Sequence, residues 1–364
     1  MRVMLQGYLQ GANFGDILFA HMFYDKCKSL GFDVDFYQYK DYGIGDFCRK
    51  ELGYTRHNSY LRNYKADALI LISGGCLWDD RNRKGETRKR FYRYVLPARL
   101  YQMMGKPVYC LGVGGGPVDS RFLRYEIVKM LNNASVIQFR DEATCRVFEE
   151  YDVKNKITVT SDTAHIITSK ILKPLNEKSE LDVLSRGRKK ILIHIPDGKP
   201  EDIKLLENVI PGVIRFLKKH KEYFVVLSND NLREIWPWEL KEINRIRLKF
   251  EEAGIERYDY KYHDSWQMCS LINEMDCVVT SKLHVGVVGV ALGKAVVAFP
   301  VSREKTVNYY NHIGESERCI HIDKVNEDIV YSQLEKYHDL PVFLSDRFRI
   351  EAEKNLSVIE NLLK

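Results

Sequence analysis

Four stretches of this chain, ADALILISGG (66–75), KPVYCLGVGGG (106–116), KILIHIP (190–196) and DCVVTS (276–281), are apolar without alternation and close on glycine, proline or a hydroxyl. A run with no polar alternation has no wet face, so each reads as a strand buried on both sides. Shorter apolar runs share their spacing: RVMLQGY (2–8), DVDFYQYK (33–40), SVIQFRD (135–141), KITVTSD (156–162), YFVVLSND (223–230) and KAVVAFP (294–300). Between them lie segments with helical periodicity: Asp16 to Leu30, about Arg88 to Met104, EATCRVFEEY (142–151), Glu201 to Lys219, Glu239 to Ala253 and WQMCSLINEM (266–275). Strand and helix in repeated alternation predict parallel sheets covered by helices on both faces.

At 364 residues the chain exceeds what one core usually serves. The periodicity lapses in ILKPLNEKSELDVLSRGRKK (171–190) and then restarts, so this stretch is the expected linker. The expected layout is a Rossmann-like domain over 1–178, a second over 179–345 and a terminal helix over 346–364, with the two sheets facing a cleft. Ligands in such sheets bind beyond the carboxyl ends of the strands.

That rule selects residues, because the strands here end in unusual ones. The first strand leads into GANFGD (11–16), where Asn13 and Asp16 stand at a helix start; they suit either capping or holding a sugar hydroxyl or anion near free amides. The run 66–72 opens into SGGCLWDD (73–80), whose Trp78, Asp79 and Asp80 become, on the family resemblance given below, candidates for stacking on and hydrogen bonding to a pyranose. Three glycines, Gly114, Gly115 and Gly116, let backbone approach a ligand with no side chain intervening. They do not form the dinucleotide fingerprint, and no Walker A sequence occurs. Arg140 ends one strand and Asp162 follows another; a guanidinium there suits a carboxylate or phosphate, or a simple ion pair. DCVVTS delivers Ser281, Lys282 and His284 to the same kind of turn. His194 and His263 fit packing or loop surface better. A bound anion beside an imidazole raises its pKa toward the range of a useful proton donor.

The net charge of +6 is small for this length and the basic residues are scattered, which disfavours nucleic acid as a partner. The richest basic cluster, RNRKGETRKRFYR (81–93), reads as a solvated loop and helix start, with anionic lipid as the other reading. Eight cysteines form no metal-binding or paired spacing, so no metal is expected and the compartment reads as reducing. No signal peptide or membrane span is legible, and the expected location is cytoplasmic. WPW (236–238) is either a sugar platform or a loop anchor.

Taken in order, GANFGD, LISGGCLWDD, YCLGVGGGPV, FRD, SDTA, TSKLH with its small-residue helix VGVVGVALGK, and FPVSREKTVNY resemble the polysaccharide pyruvyl transferase family from about residue 7 to about 315. The resemblance implies a GT-B-like pair of Rossmann-type domains, with phosphoenolpyruvate as donor. The acceptor is a sugar of a cell-surface polysaccharide or its precursor, an exopolysaccharide or cell-wall polymer among them. It implies His284 as general acid and Lys282, Arg140, Lys305, Ser281 and the 114–116 backbone on the donor. Asp162 takes the acceptor's proton, and no cofactor is needed beyond phosphoenolpyruvate as co-substrate. Lys282 stands where the family carries arginine, and Cys76 where a third glycine is usual. A lipid-linked acceptor would bring the chain to the inner face of the membrane. A GT-B glycosyltransferase using a nucleotide sugar, and a non-catalytic sugar- or anion-binding protein on the same scaffold, are the rival readings.

Overall fold

The computed structural model describes residues 1–9, 13–37, 51–53, 64–80, 82, 84–194, 200–229, 237–301 and 303–363. Gly11, Cys48, Arg81, Arg83 and Trp236 lie outside these residues, as does the side chain of Trp238. By contact the chain divides into two compact units: Met1–Ala12, Asp16–Ile166 and Ser345–Lys364 form the first, and Asn13–Gly15 with Ile167–Leu344 form the second.

The first unit is built on a sheet of strands β1 (Arg2–Gln6), β2 (Asp33–Phe36), β3 (Ala68–Leu71), β4 (Gly74–Leu77), β5 (Val108–Gly115), β6 (Val136–Phe139) and β7 (Ile157–Val159). Every pairing is parallel, in the order β2-β1-β3-β5-β6-β7, with β4 alongside β5. The strand pleat sorts their side chains into two cores. Val3, Leu5, Ile70, Ile72 and Leu111 face the helix Phe14–Ser29 and Ile359 of the terminal helix Asp346–Glu360. Met4, Leu69, Leu71 and Cys110 face the helical stretch through Tyr94 and Tyr101 and the helices Arg121–Asn132 and Glu142–Glu150. The terminal helix, read from sequence as a segment of its own, therefore supplies part of this core.

The second unit carries β8 (Lys189–His194), β9 (Tyr223–Ser228), β10 (Arg257–Asp259), β11 (Cys277–Thr280) and β12 (Ala295–Ala298), all parallel in the order β10-β9-β8-β11-β12. The chain builds outward from β8 on one side and then returns to build outward on the other, so β8 and β11 flank the topological switch point. The apolar run Glu201 to Lys219 is two helices, Pro200–Asn208 and Ile210–Lys219, the second opening at Pro211, where a missing N–H is tolerated. The polar stretch 171–190 includes the helix Lys178–Ser185.

The two α/β units with parallel sheets match the predicted fold class. Helix Leu283–Ala291 is buried along its whole length because β11 and β12 lie beneath it. Gly289 makes that approach feasible, since a Cβ there would sit 3.0 Å from Val296, and Gly286 admits the helix Arg303–His312, since a Cβ there would sit 2.5 Å from the Tyr310 hydroxyl. No described helix is long and apolar enough to cross a membrane.

Candidate functional site

In the second unit the switch point brings two strand ends together. Thr280 at the end of β11 is in register with His194 at the end of β8 and with Ala298 of β12. Ser281, His284 and His194 are all buried there. Lys282 adopts extended backbone as the N-cap residue of helix Leu283–Ala291, and no side chain caps that helix. The Thr280 hydroxyl oxygen instead accepts from the Lys282 amide at 3.0 Å. The helix start thus presents first-turn amides, a cation at the cap and an imidazole one residue inside the first turn, the combination that receives an anion. Ser281 Oγ and the fully buried Tyr310 hydroxyl make no hydrogen bond among the described residues. Burial pushes the Tyr310 phenol well above its ordinary value, so it stays protonated and able to donate. Lys305 is exposed on the neighbouring helix Arg303–His312. His194, which the sequence assigns to packing or loop surface, ends β8 much as His284 follows β11, an imidazole at the carboxyl end of an apolar strand.

In the first unit Arg140 and Asp162 meet, with Nη1 to Oδ2 at 3.5 Å, and Arg140 Nε lies 3.5 Å from Asp141. Asp162 is 3 % exposed. Burial pushes its carboxyl above the usual carboxylate range, while the Arg140 guanidinium and the Ala164 amide, 3.0 Å from Oδ1, pull it down. The glycine run explains the seat of Arg140: a Cβ on Gly114 would lie 2.6 Å from its Nε, so only glycine leaves room for the guanidinium. The Gly115 amide donates to Thr144 at 3.0 Å and the Gly116 amide to the Leu77 carbonyl at 3.1 Å. Those two amides serve the fold, which differs from the sequence expectation of donors held open for a ligand.

Behind this pair lies a polar knot that sequence reading missed. Asn355 of the terminal helix, 0 % exposed, donates to the Ser161 carbonyl at 2.9 Å and to the Thr163 hydroxyl at 3.0 Å, and accepts from Thr160 at 2.8 Å. Ser73 and Thr163 share a bond of 2.6 Å, and Ser161 bonds His165 Nδ1 at 2.6 Å. Gly112, at φ +64°, lets the backbone pass this knot, since a Cβ there would meet Ser73 Oγ at 2.4 Å. No local signal ties Asn355 to Ser161, 194 residues apart.

The acceptor candidates have defined neighbours. Asn13 accepts from the Gly15 amide at 3.2 Å, the capping reading. Asp16 is buried, and a Cβ on Gly74 would lie 3.3 Å from its Oδ1. Trp78 donates to the Gly75 carbonyl at 3.0 Å, and Arg90 lies 4.2 Å over its ring, so one face is covered from within. Asp80 accepts from the Asn82 amide at 2.9 Å. Asp79 anchors its surroundings by accepting from Asp119 at 2.6 Å and Thr87 at 2.6 Å. Among the described residues no group of three or more His, Cys, Asp or Glu side chains is arranged to hold a metal.

The polysaccharide pyruvyl transferase model matches residues 13–303, most of the chain. The chain belongs to that family. In this pyruvyl transferase family member the cationic position of the strand-to-helix turn is Lys282. No curated protein sequence matches it significantly. Among solved structures it is similar in fold to the UDP-GlcNAc 2-epimerase of Methanocaldococcus jannaschii in complex with UDP-GlcNAc and UDP. The TM-score is 0.62 at 12% identity, over 99% of this chain and 100% of that one. S. aureus MnaA with UDP aligns at TM-score 0.66 and 12% identity over 100% and 97% of the two chains. The Neisseria meningitidis UDP-GlcNAc 2-epimerase aligns at 0.63 and 13% over the whole of both. At such identity the likeness establishes a shared GT-B-like fold and nothing of substrate.

Proposed function

We propose that the chain transfers the enolpyruvyl group of phosphoenolpyruvate to a sugar of a cell-surface polysaccharide or its precursor, forming a pyruvate ketal and releasing phosphate. The observation that carries this reading is the Ser281–His284 turn, where cation, hydroxyl, imidazole and helix amides occupy one strand end in a chain of this family. The donor's carboxylate and phosphate are anions, and a helix start with a lysine at its cap suits them.

The chemistry assigns the groups. His284 protonates the methylene carbon of phosphoenolpyruvate, leaving an oxocarbenium centre at C2 that a sugar hydroxyl attacks. Phosphate then departs with the C2–O pair, and a second hydroxyl closes the ring. Of the two hydroxyl protons, one replaces that given to carbon and the other leaves on phosphate, so atoms and charge balance. In the second unit Lys282 and Lys305 bind donor anions and Ser281 orients the donor; in the first unit Arg140 is a further candidate for an anion and Asp162 for taking an acceptor proton. A raised Asp162 pKa makes the carboxylate a stronger base than an exposed one. Asn13, Asp16, Trp78 and Asp80 are the acceptor-side candidates. The acceptor is a saccharide, free or lipid-linked, no cofactor is required, and the reaction belongs in the cytoplasm, where the buried thiols stay reduced.

Calorimetric titration with phosphoenolpyruvate and, separately, UDP-GlcNAc tests the reading. Phosphoenolpyruvate should bind the wild type and bind Lys282→Ala at least about tenfold more weakly. Binding of UDP-GlcNAc with no heat from phosphoenolpyruvate would instead support the nucleotide-sugar rival.

A further inference from the structure

The first unit carries an exposed aromatic ridge set among cations. Phe122 and Tyr125, 55% and 62% exposed, stand one turn apart on helix Arg121–Asn132. Both are large rings left in water although the buried face of the same helix, Leu123, Ile127, Met130 and Leu131, is well packed. Phe122 rests on Phe91 with ring centroids 5.0 Å apart, and Phe91 touches Tyr92 at 5.4 Å, so the ridge spans two helices and is held in place. The Ser120 hydroxyl caps the helix by accepting from Leu123 at 3.3 Å.

Cations frame the rings. Arg88 lies 5.7 Å over Tyr92 and Lys129 lies 5.8 Å over Tyr125. Arg88, Lys89, Arg121 and Lys129 are exposed, and among the described residues they form no ion pair. The nearby acids are already matched: Glu86 accepts from Arg90 at 2.7 Å, and Glu126 lies 3.9 Å from Arg99. Arg90 itself is buried, so the basic character of this surface rests on its neighbours.

We infer that this ridge docks the protein on an anionic lipid surface. Aromatic rings with polar or cationic flanks settle at the headgroup boundary, and scattered cations are attracted by a negative leaflet without a specific partner. The positive charge complements acidic headgroups and disfavours a second copy of the same basic face. The inference rests on the pyruvyl-transfer reading only for its purpose, bringing the enzyme to a lipid-linked acceptor. Vesicle binding is measured without substrate, so the two ideas fail separately.

The test is cosedimentation of the full chain with vesicles of phosphatidylglycerol and phosphatidylcholine, beside vesicles of phosphatidylcholine alone. The wild type should sediment with the anionic vesicles only, less so at high salt. Arg88→Ala with Lys89→Ala should weaken partition roughly 25-fold, at about fivefold per cation. Phe122→Ser with Tyr125→Ser should weaken it at least about tenfold, with unchanged circular dichroism. No binding by the wild type, or equal binding by both double variants, overturns the inference. So does concentration-dependent dimerisation that Phe122→Ser abolishes with no vesicle binding, which would make the ridge an interface between copies.

Discussion

Beyond the ends of β3 and β7 in the first unit and of β11 in the second, polar residues are placed in opposite ways. In the first, Ser73, Thr160, Ser161, Thr163 and Asn355 bond to one another in a closed knot, and Arg140 rests against Asp162. In the second, the Ser281 and Tyr310 hydroxyls are buried without hydrogen bonds among the described residues, above a helix start that no side chain caps. Buried polar groups normally find partners, so a closed knot reads as scaffold and an unfinished one as a place built for a ligand. The same alternation of strand and helix yields both; the difference lies in whether a distant segment returns to complete the bonds.

The sharpest way to break this contrast is at His284. His284→Ala should lower turnover by about 10²–10⁴, the range for loss of a general acid, with unfolding midpoint near that of the wild type. Single-turnover release of phosphate from phosphoenolpyruvate in the presence of acceptor would read it. A large stability loss with little change in rate would make His284 scaffold after all.

Asn355→Ala should do the reverse. It leaves the Ser161 carbonyl and the Thr160 and Thr163 hydroxyls short of a partner, at a cost of about 3 kcal/mol in urea unfolding. Gly114→Ala is expected next, because its Cβ would displace Arg140 from 2.6 Å; about 1–3 kcal/mol of destabilisation should appear in the same assay.

Much of this was legible in the sequence. Uninterrupted runs such as ALIL and CVVT announced buried parallel strands, and the small-residue stretch after His284 announced a helix packed tightly on the sheet. Strand-end position selected Arg140, Asp162 and Ser281–His284, because the carboxyl-end rule needs only local pattern. The Asn355 knot was not legible, since nothing near Asn355 marks it as a partner of residues almost two hundred positions earlier. The glycines at 114 and 115 were legible as sites of close approach, but not that Arg140 and Phe148 are what approaches.

Smaller effects sharpen the comparison. The folded Asp162 carboxyl holds its proton more tightly than in the unfolded chain, so its contribution to stability is complete below the ordinary carboxylate pKa and is lost as pH rises through the raised folded value. The stability of the wild type relative to Asp162→Asn should therefore shrink as pH rises above about 4, measured by urea unfolding at each pH. A constant difference would mean that Arg140 keeps the carboxylate charged throughout. The smallest expected signal is thiol reactivity. Burial pushes Cys76 and Cys110 up to about 12, so both should resist alkylation in the native state and react on unfolding, as mapped by peptide mass.

The measurement closest to the central contrast is the rise in unfolding temperature with millimolar phosphoenolpyruvate, compared across the wild type, Lys282→Ala and Asn355→Ala. A ligand that binds only the folded state raises that temperature by an amount that grows with the logarithm of its concentration over its Kd. Lys282→Ala should unfold near the wild-type temperature and lose the rise, whereas Asn355→Ala should unfold earlier and keep it. If Lys282→Ala keeps the rise and Asn355→Ala loses it, the donor binds in the first unit, and the contrast between a closed scaffold and an open ligand site is reversed.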